Sequence, residues 1–259
     1  MSAAPRTLTS LRAEIAALER GGRAAAEVIG FGDARVDAKL PGGGLALNAW
    51  HEFAGEGLEL ETCAASAAFV ARLAAPLARR GEIVWVLRRD DLHAPGLAGL
   101  GFPAERLIQV CARDDTEALA VMEDALRTKG VVAVFGEAGE ADLTAGRRLQ
   151  LACEQAAATG FLVRRRPFGG ADRRDASSAA ATRWTIAPAP SEPAPGEPGL
   201  GPPRWRVGLE RCRGGRTGTW VLEADPSFGE DDDAAHPFRL VADMADRDVA
   251  AQAPFQMAG

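Results

Sequence analysis

Residues 116–137 read TEALAVMEDALRTKGVVAVFGE. Over Thr116–Lys129 the residues Leu119, Met122 and Leu126 recur at helical spacing, which predicts a helix with one apolar face. Val131–Phe135 follows as an unbroken apolar run, the pattern of a strand buried on both faces. The same unit occurs twice more. An alanine-rich helix over Thr62–Arg80 precedes the strand Glu82–Leu87, and a helix over Asp142–Thr159 precedes the strand Gly160–Val163. Trp50–Ala54 and Leu107–Val110 read as further strands. Strands alternating with helices in this way predict an α/β domain, a mostly parallel sheet flanked by helices.

Outside this core the rhythm changes. Leu8, Leu11, Ile15 and Leu18 lie at helical spacing, with Thr9 or Ser10 as N-cap and Gly21-Gly22 as the stop. A helix this short is marginal in water, so its stripe docks either on its own domain or on a partner. Val28–Phe31 is a short apolar stretch, Asp33–Leu40 a turn or short helix, and Pro41–Gly44 a turn. Downstream, Ala181–Ala187, Trp205–Leu209 and Thr219–Ala224 read as strands. The last two form a hairpin about the Gly-rich turn Arg213–Gly218, with Trp205, Val207 and Leu209 on one face and Trp220 and Leu222 opposite. Trp184 and Trp205 have rings that can stack on bases, but their alternation with Ile186 and Val207 favours the core. Residues 188–203 hold 7 of the 16 prolines and are expected to be extended and structureless. The organisation is therefore an N-terminal helix (1–22), an α/β core (23–187), a Pro-rich linker or loop (188–203), a β-hairpin completing the sheet (204–225) and an acidic, mostly disordered tail (226–259).

The 259 residues are 47% hydrophobic and 25% charged, which excludes a chain disordered throughout. No apolar run approaches the ~20 residues of a membrane span. No secretory pattern opens the sequence, and a cytoplasmic protein is expected. Four cysteines spaced more than 40 residues apart predict reduced thiols, and three scattered histidines argue against a zinc site. The net charge of −6 conceals a segregation: residues 164–216 hold 11 arginines against 5 acids, and residues 217–259 hold 2 arginines against 9 acids. Of the 30 basic side chains, only Lys39 and Lys129 are lysines.

That scarcity bears on chemistry. In a nucleotide-binding α/β protein, the turn after the first central strand cradles phosphate with backbone N–H groups, and a lysine neutralises it. Here Ala54–Thr62 offers Gly55, Gly57 and Thr62 but no lysine, and it carries Glu56, Glu59 and Glu61. Like charges ~4 Å apart cost on the order of 4 kcal/mol even when screened. No cofactor, no metal and no ATPase activity are expected. Glu137 follows the strand Val131–Phe135 where a magnesium-organising acid could sit, and reads as a structural or capping group. His51 beside Glu52 lacks a recognisable nucleophile, so no catalytic residue is assigned.

The order of Ile29-Gly30-Phe31-Gly32, Leu40-Pro41-Gly42-Gly43-Gly44-Leu45, Trp50-His51-Glu52-Phe53 and Trp85-Val86-Leu87-Arg88-Arg89 resembles the ImuA family of DNA-damage-inducible mutagenesis proteins, themselves similar to the RecA core. The helix Arg147–Ala152 and the closing motifs Ala181-Thr182-Arg183-Trp184 and Arg211-Cys212-Arg213-Gly214-Gly215 continue it, over roughly residues 8–224. The resemblance implies a RecA-like sheet and an accessory role in error-prone translesion synthesis. It implies as partners an ImuB-type Y-family-like protein and a C-family error-prone DNA polymerase, with RecA a further contact. In RecA-like proteins the region after the strand matching Phe161–Val163 contacts DNA. Here that region carries Arg164, Arg165, Arg166, Arg173, Arg174 and Arg183. Arginine forks bind phosphate and release its counterions, so the segment is read as a surface for single-stranded DNA or an acidic partner. A solvated basic loop, or one paired with the acidic tail, is the alternative. Two other functions stay open: a SulA-type regulator of cell division, and a RecA-like ATPase with an atypical site.

Overall fold

The computed structural model of the chain describes residues 27–57, 59–165, 178–193, 195–196, 198–228 and 236–244, with the backbone alone described at 59–63. The expected N-terminal helix with Leu11, Ile15 and Leu18, the residues Arg166, Arg173 and Arg174, and the side chain of Thr62 lie outside the described residues.

A small antiparallel pair, β1 (Val28–Ile29) and β2 (Leu45–Ala46), brackets the short helix α1 (Ala34–Asp37). Then come β3 (Trp50–Gly55), α2 (Glu59–Ala78), β4 (Glu82–Leu87), α3 (Ala94–Ala98) and, after a 3-10 turn, β5 (Leu107–Cys111). Next are α4 (Asp115–Leu126), β6 (Val131–Ala138), α5 (Leu143–Ala156) and β7 (Thr159–Arg164). Four strands close the described chain: β8 (Thr182–Ala189), β9 (Arg204–Cys212), β10 (Gly218–Ala224) and β11 (Phe238–Asp243). One nine-stranded sheet results, ordered β11-β10-β9-β8-β3-β7-β6-β4-β5. From β8 to β5 all neighbours are parallel, and β9, β10 and β11 extend the β8 side antiparallel. This is the α/β class expected, with the hairpin in place.

The helices start where short polar side chains can accept the orphan N–H groups of the first turn. Asp114 accepts from Glu117 N at 2.8 Å to cap α4, and Asp142 accepts from Ala145 N at 2.7 Å to cap α5. Strand alternation then sorts the core into two layers. Phe53, Trp85, Phe135 and Phe161 face α2, while Trp50, Val84, Val134 and Leu162 face α4 and α5. On the α2 face an aromatic row crosses the sheet. Trp85 stacks on Phe135 at 4.5 Å, Phe135 on Phe161 at 5.0 Å, and Phe53 on Trp184 at 6.1 Å with the planes 4° apart. Trp184 is fully buried and Trp205 nearly so, edge-on to Phe69 and Phe238, so both serve the core.

The segment from 226 onward departs from the expectation of an unstructured tail. Phe238–Asp243 pairs antiparallel with β10, and Phe238 stacks on Phe69 at 4.7 Å. The buried Arg72 of α2 fastens this return. Its guanidinium donates to the carbonyl oxygens of Pro237, at 2.9 Å, and Asp225, and lies 4.4 Å from the Phe228 ring. The acidic average concealed these two aromatic anchors. The Pro-rich segment also begins later than expected, since β8 runs through Pro188. Pairing with β3 ends at Ile186, so the missing Pro188 N–H leaves no gap in that ladder.

Gly136 of β6 lies directly under the buried Met122, and a Cβ there would overlap its thioether. Gly136→Ala is therefore expected to destabilise the protein by about 1–3 kcal/mol, read by urea unfolding, because the core has no room to move the sulfur.

Candidate functional site

In open α/β sheets ligands gather outside the carboxyl ends of the strands, where successive connections diverge to opposite sides. Here that point is the end of β3. The chain leaves β3 to build β4, β6 and β7 on one flank, then crosses from β7 to β8 on the other. The side chains meeting at this edge come from β3, β6, β7, β8, the start of α4 and the turn after β4.

At this edge two carboxylates lie inside the sheet. Glu52 of β3 and Glu137 of β6 are 3% and 0% exposed. Each needs a cation, because a buried unpaired charge is far costlier than a paired one. Arg164 and Arg165 supply them. Successive residues of an extended chain point to opposite sides, so this dipeptide at the end of β7 sends one guanidinium to each face. Arg164 pairs with Glu52 at 3.2 Å and donates to the Gly139 carbonyl at 2.8 Å; Arg183 of β8 reaches the same carboxylate at 3.3 Å. Arg165 pairs with Glu137 at 3.0 Å and grips Asp91 through both its terminal nitrogens, at 3.0 and 2.9 Å. Glu137 also accepts from the Trp85 indole N–H at 3.3 Å and the Arg88 backbone N–H at 3.4 Å. Arg88 in turn pairs with Asp115, which accepts from Gly139 N at 2.8 Å.

The two acids on Arg165 respond in opposite directions. Burial pushes the Glu137 carboxyl up, with Arg165 opposing. Asp91 is partly exposed, and its hydrogen bonds from Arg165 hold it below the usual carboxylate range. His51 of β3 is fully buried between the Thr182 hydroxyl and the Ala46 carbonyl, each at 2.8 Å, and desolvation pushes its pKa down to about 4. It is a neutral packing residue, and no dyad with Glu52 exists. Thr182 also accepts from the Trp184 indole N–H at 2.7 Å.

These positions correct part of the sequence reading. Arg164 and Arg165 were expected on a surface for DNA or an acidic partner; they are instead buried and ion-paired. Arg183 shares the pairing with Glu52. Glu137, expected to be structural or capping, is buried and paired with Arg165. At the turn after β3, Gly57 has φ +102°, Glu56 N donates to the Ile186 carbonyl at 2.9 Å, and the Glu56 carboxylate turns outward to Arg206 at 2.9 Å. Asp91 and Arg88 were missed, although Arg88-Arg89-Asp90-Asp91 directly after an apolar strand was a signal of charge at that edge.

Two depressions flank the network. One, of about 300 Å³, lies between α2 and α3 with Ala64, Ala68 and Leu97 on its walls and Glu137 and Arg165 at its base. The other, of about 460 Å³, lies on the opposite face and is lined by Ala54, Arg164, Arg183, Thr185 and Arg211. Among the described residues no group of three or more His, Cys, Asp or Glu side chains could hold a metal ion. Among them, too, no helix is long and apolar enough to cross a membrane.

No protein-family model matches the sequence. The chain is 56% identical over 240 residues to Protein ImuA of Caulobacter vibrioides strain NA1000 / CB15N, covering 90% of this chain and 97% of that protein. It belongs to the ImuA family. Protein ImuA of Caulobacter vibrioides strain ATCC 19089 / CIP 103742 / CB 15 matches with the same identity and coverage. In this ImuA-family chain, the candidate site is thus an arginine–carboxylate network at the place where such sheets hold ligands.

Removing one partner of a buried pair leaves an uncompensated charge. Arg164→Ala is expected to cost about 3 kcal/mol by urea unfolding, the low end for such pairs because Arg183 still reaches Glu52. A second expectation concerns acid. A depressed carboxyl contributes stability above its ordinary pKa, and that contribution fades as pH falls through the folded value. Asp91→Asn should therefore lower Tm at pH 7, and the gap to the unsubstituted protein should close as pH falls below 3.8.

Proposed function

We propose that the protein is a non-catalytic accessory factor of DNA-damage-induced, error-prone translesion synthesis, acting through protein–protein contacts. Membership of the ImuA family supports a role in damage-linked mutagenesis. The observation that carries the non-catalytic half is the fate of the β3 edge: its turn has no lysine, and the buried carboxylates there hold arginines. A nucleoside triphosphate at this edge would need cations free to meet it. The acids and arginines present already satisfy one another.

The proposed partners are an ImuB-type Y-family-like protein and a C-family error-prone polymerase, with RecA and single-stranded DNA as further contacts. With Arg164 and Arg165 committed to the sheet, the proposed binding residues are Arg166, Arg173 and Arg174 together with the apolar stripe Leu11, Ile15 and Leu18. The proposed location is the cytoplasm.

Affinity purification of the tagged protein from damaged cells tests the role: recovery of the Y-family-like protein and the polymerase is the expected result. Recovery of a division protein with no replication factor would sink it. Equilibrium titration with a fluorescent ATP analogue and magnesium tests the other half. No saturable binding is expected, and micromolar affinity would revive the ATPase reading, with Thr62 and Glu137 the first residues to substitute.

A further inference from the structure

The two edges of the sheet are unlike. The outer strand β11 carries Arg239 and Asp243, and charge on an edge discourages pairing with another chain. At the opposite edge, β5 reads Leu107-Ile108-Gln109-Val110-Cys111, with neither a charge nor a proline, and among the described strands it bonds to β4 alone. Ile108 is 48% exposed, and Gln109 and Cys111 are exposed as well.

The direction of the free backbone groups can be read off. Ala112 N donates to the Leu87 carbonyl at 2.8 Å, so in this extended run Ala112, Val110 and Ile108 turn their N–H and C=O toward β4. Leu107, Gln109 and Cys111 must then present theirs outward. An antiparallel copy of β5 centred on Gln109 uses every one of them: Gln109 opposes its counterpart, and Leu107 opposes Cys111. Shifting the centre to Ile108 or Val110 leaves one outward residue without a counterpart.

Side chains agree with the same register. Ile108 opposes Val110 twice on the α4 face, which covers the exposed isoleucine. A strand that complements itself in hydrogen bonding and apolar cover is what a two-fold interface requires, since the same patch must serve both copies.

We propose that β5 is the seam of a two-fold dimer, in which two copies join their sheets antiparallel about Gln109.

Sedimentation equilibrium of the full chain in reducing buffer, from nanomolar to high micromolar concentration, tests this. The expected result is a reversible species of twice the 27.1 kDa chain mass. Gln109→Pro removes an N–H that the β4 ladder does not use, so the fold should persist while dimer affinity falls about tenfold or more. Gln109→Arg changes only an exposed side chain and sets it against its own counterpart in the other copy, so it should weaken the dimer while the fold persists. A chain monomeric throughout the range overturns the proposal. So does a dimer that Gln109→Arg leaves intact, whatever Gln109→Pro does to folding, because the seam would then lie elsewhere. A dimer lost in Gln109→Arg, with its circular dichroism unchanged, supports it.

Discussion

A carboxylate set into a dry parallel sheet must find a cation close by, and the architecture of this protein turns on meeting that demand twice. Glu52 and Glu137 sit on adjacent tiers of the sheet but on opposite faces, and one dipeptide, Arg164-Arg165, answers both. The end of β7 is thereby fixed from above and below. The same guanidinium groups reach the Gly139 carbonyl and Asp91, so the turns after β6 and β4 are drawn into one rigid rim. Arginine suits the task in a way lysine does not. Its planar fork bonds two acceptors at once, and its charge persists at any pH a folded protein meets.

The rim supports the proposal that the usual chemistry of this place in an α/β sheet gives way to architecture. A phosphate cradle needs backbone N–H groups and a cation kept available for a visitor. Here Glu56 has swung out to Arg206, its N–H is spent on the Ile186 carbonyl, and the neighbouring arginines answer to the protein's own acids. On that proposal, what the ImuA-family chain offers to others is sought beyond this network, in the basic segment after residue 165 and the apolar N-terminal stripe.

Much of the fold was legible from periodicity. The strands Glu82–Leu87 and Val131–Phe135 announce themselves because burial on both faces leaves no polar position, and Leu119, Met122 and Leu126 mark the helix between sheet and solvent. Phe238–Asp243 was not legible, because its acidic surroundings outweigh two aromatic residues in any average, and because the Arg72 that fastens it lies far away in sequence. The site was half legible. The absent lysine could be read directly. The burial of Arg164 and Arg165 could not, since a run of arginines looks the same on paper whether its partners are solvent and phosphate or carboxylates on distant strands. Only the register of β3 and β6 against β7 brings Glu52 and Glu137 within reach.

Phe238 has one further consequence. It closes the aromatic cluster of Phe31, Phe69 and Trp205, residues spread from the first described strand to the hairpin. During synthesis those partners emerge long before it does, and they must wait with an open apolar face. Contacts that span so much of the chain also make folding slow, because loop closure is costly before the packing rewards it. A ribosome stalled before residue 238 would thus release a chain with nearly all of its strands and an uncovered, adhesive core.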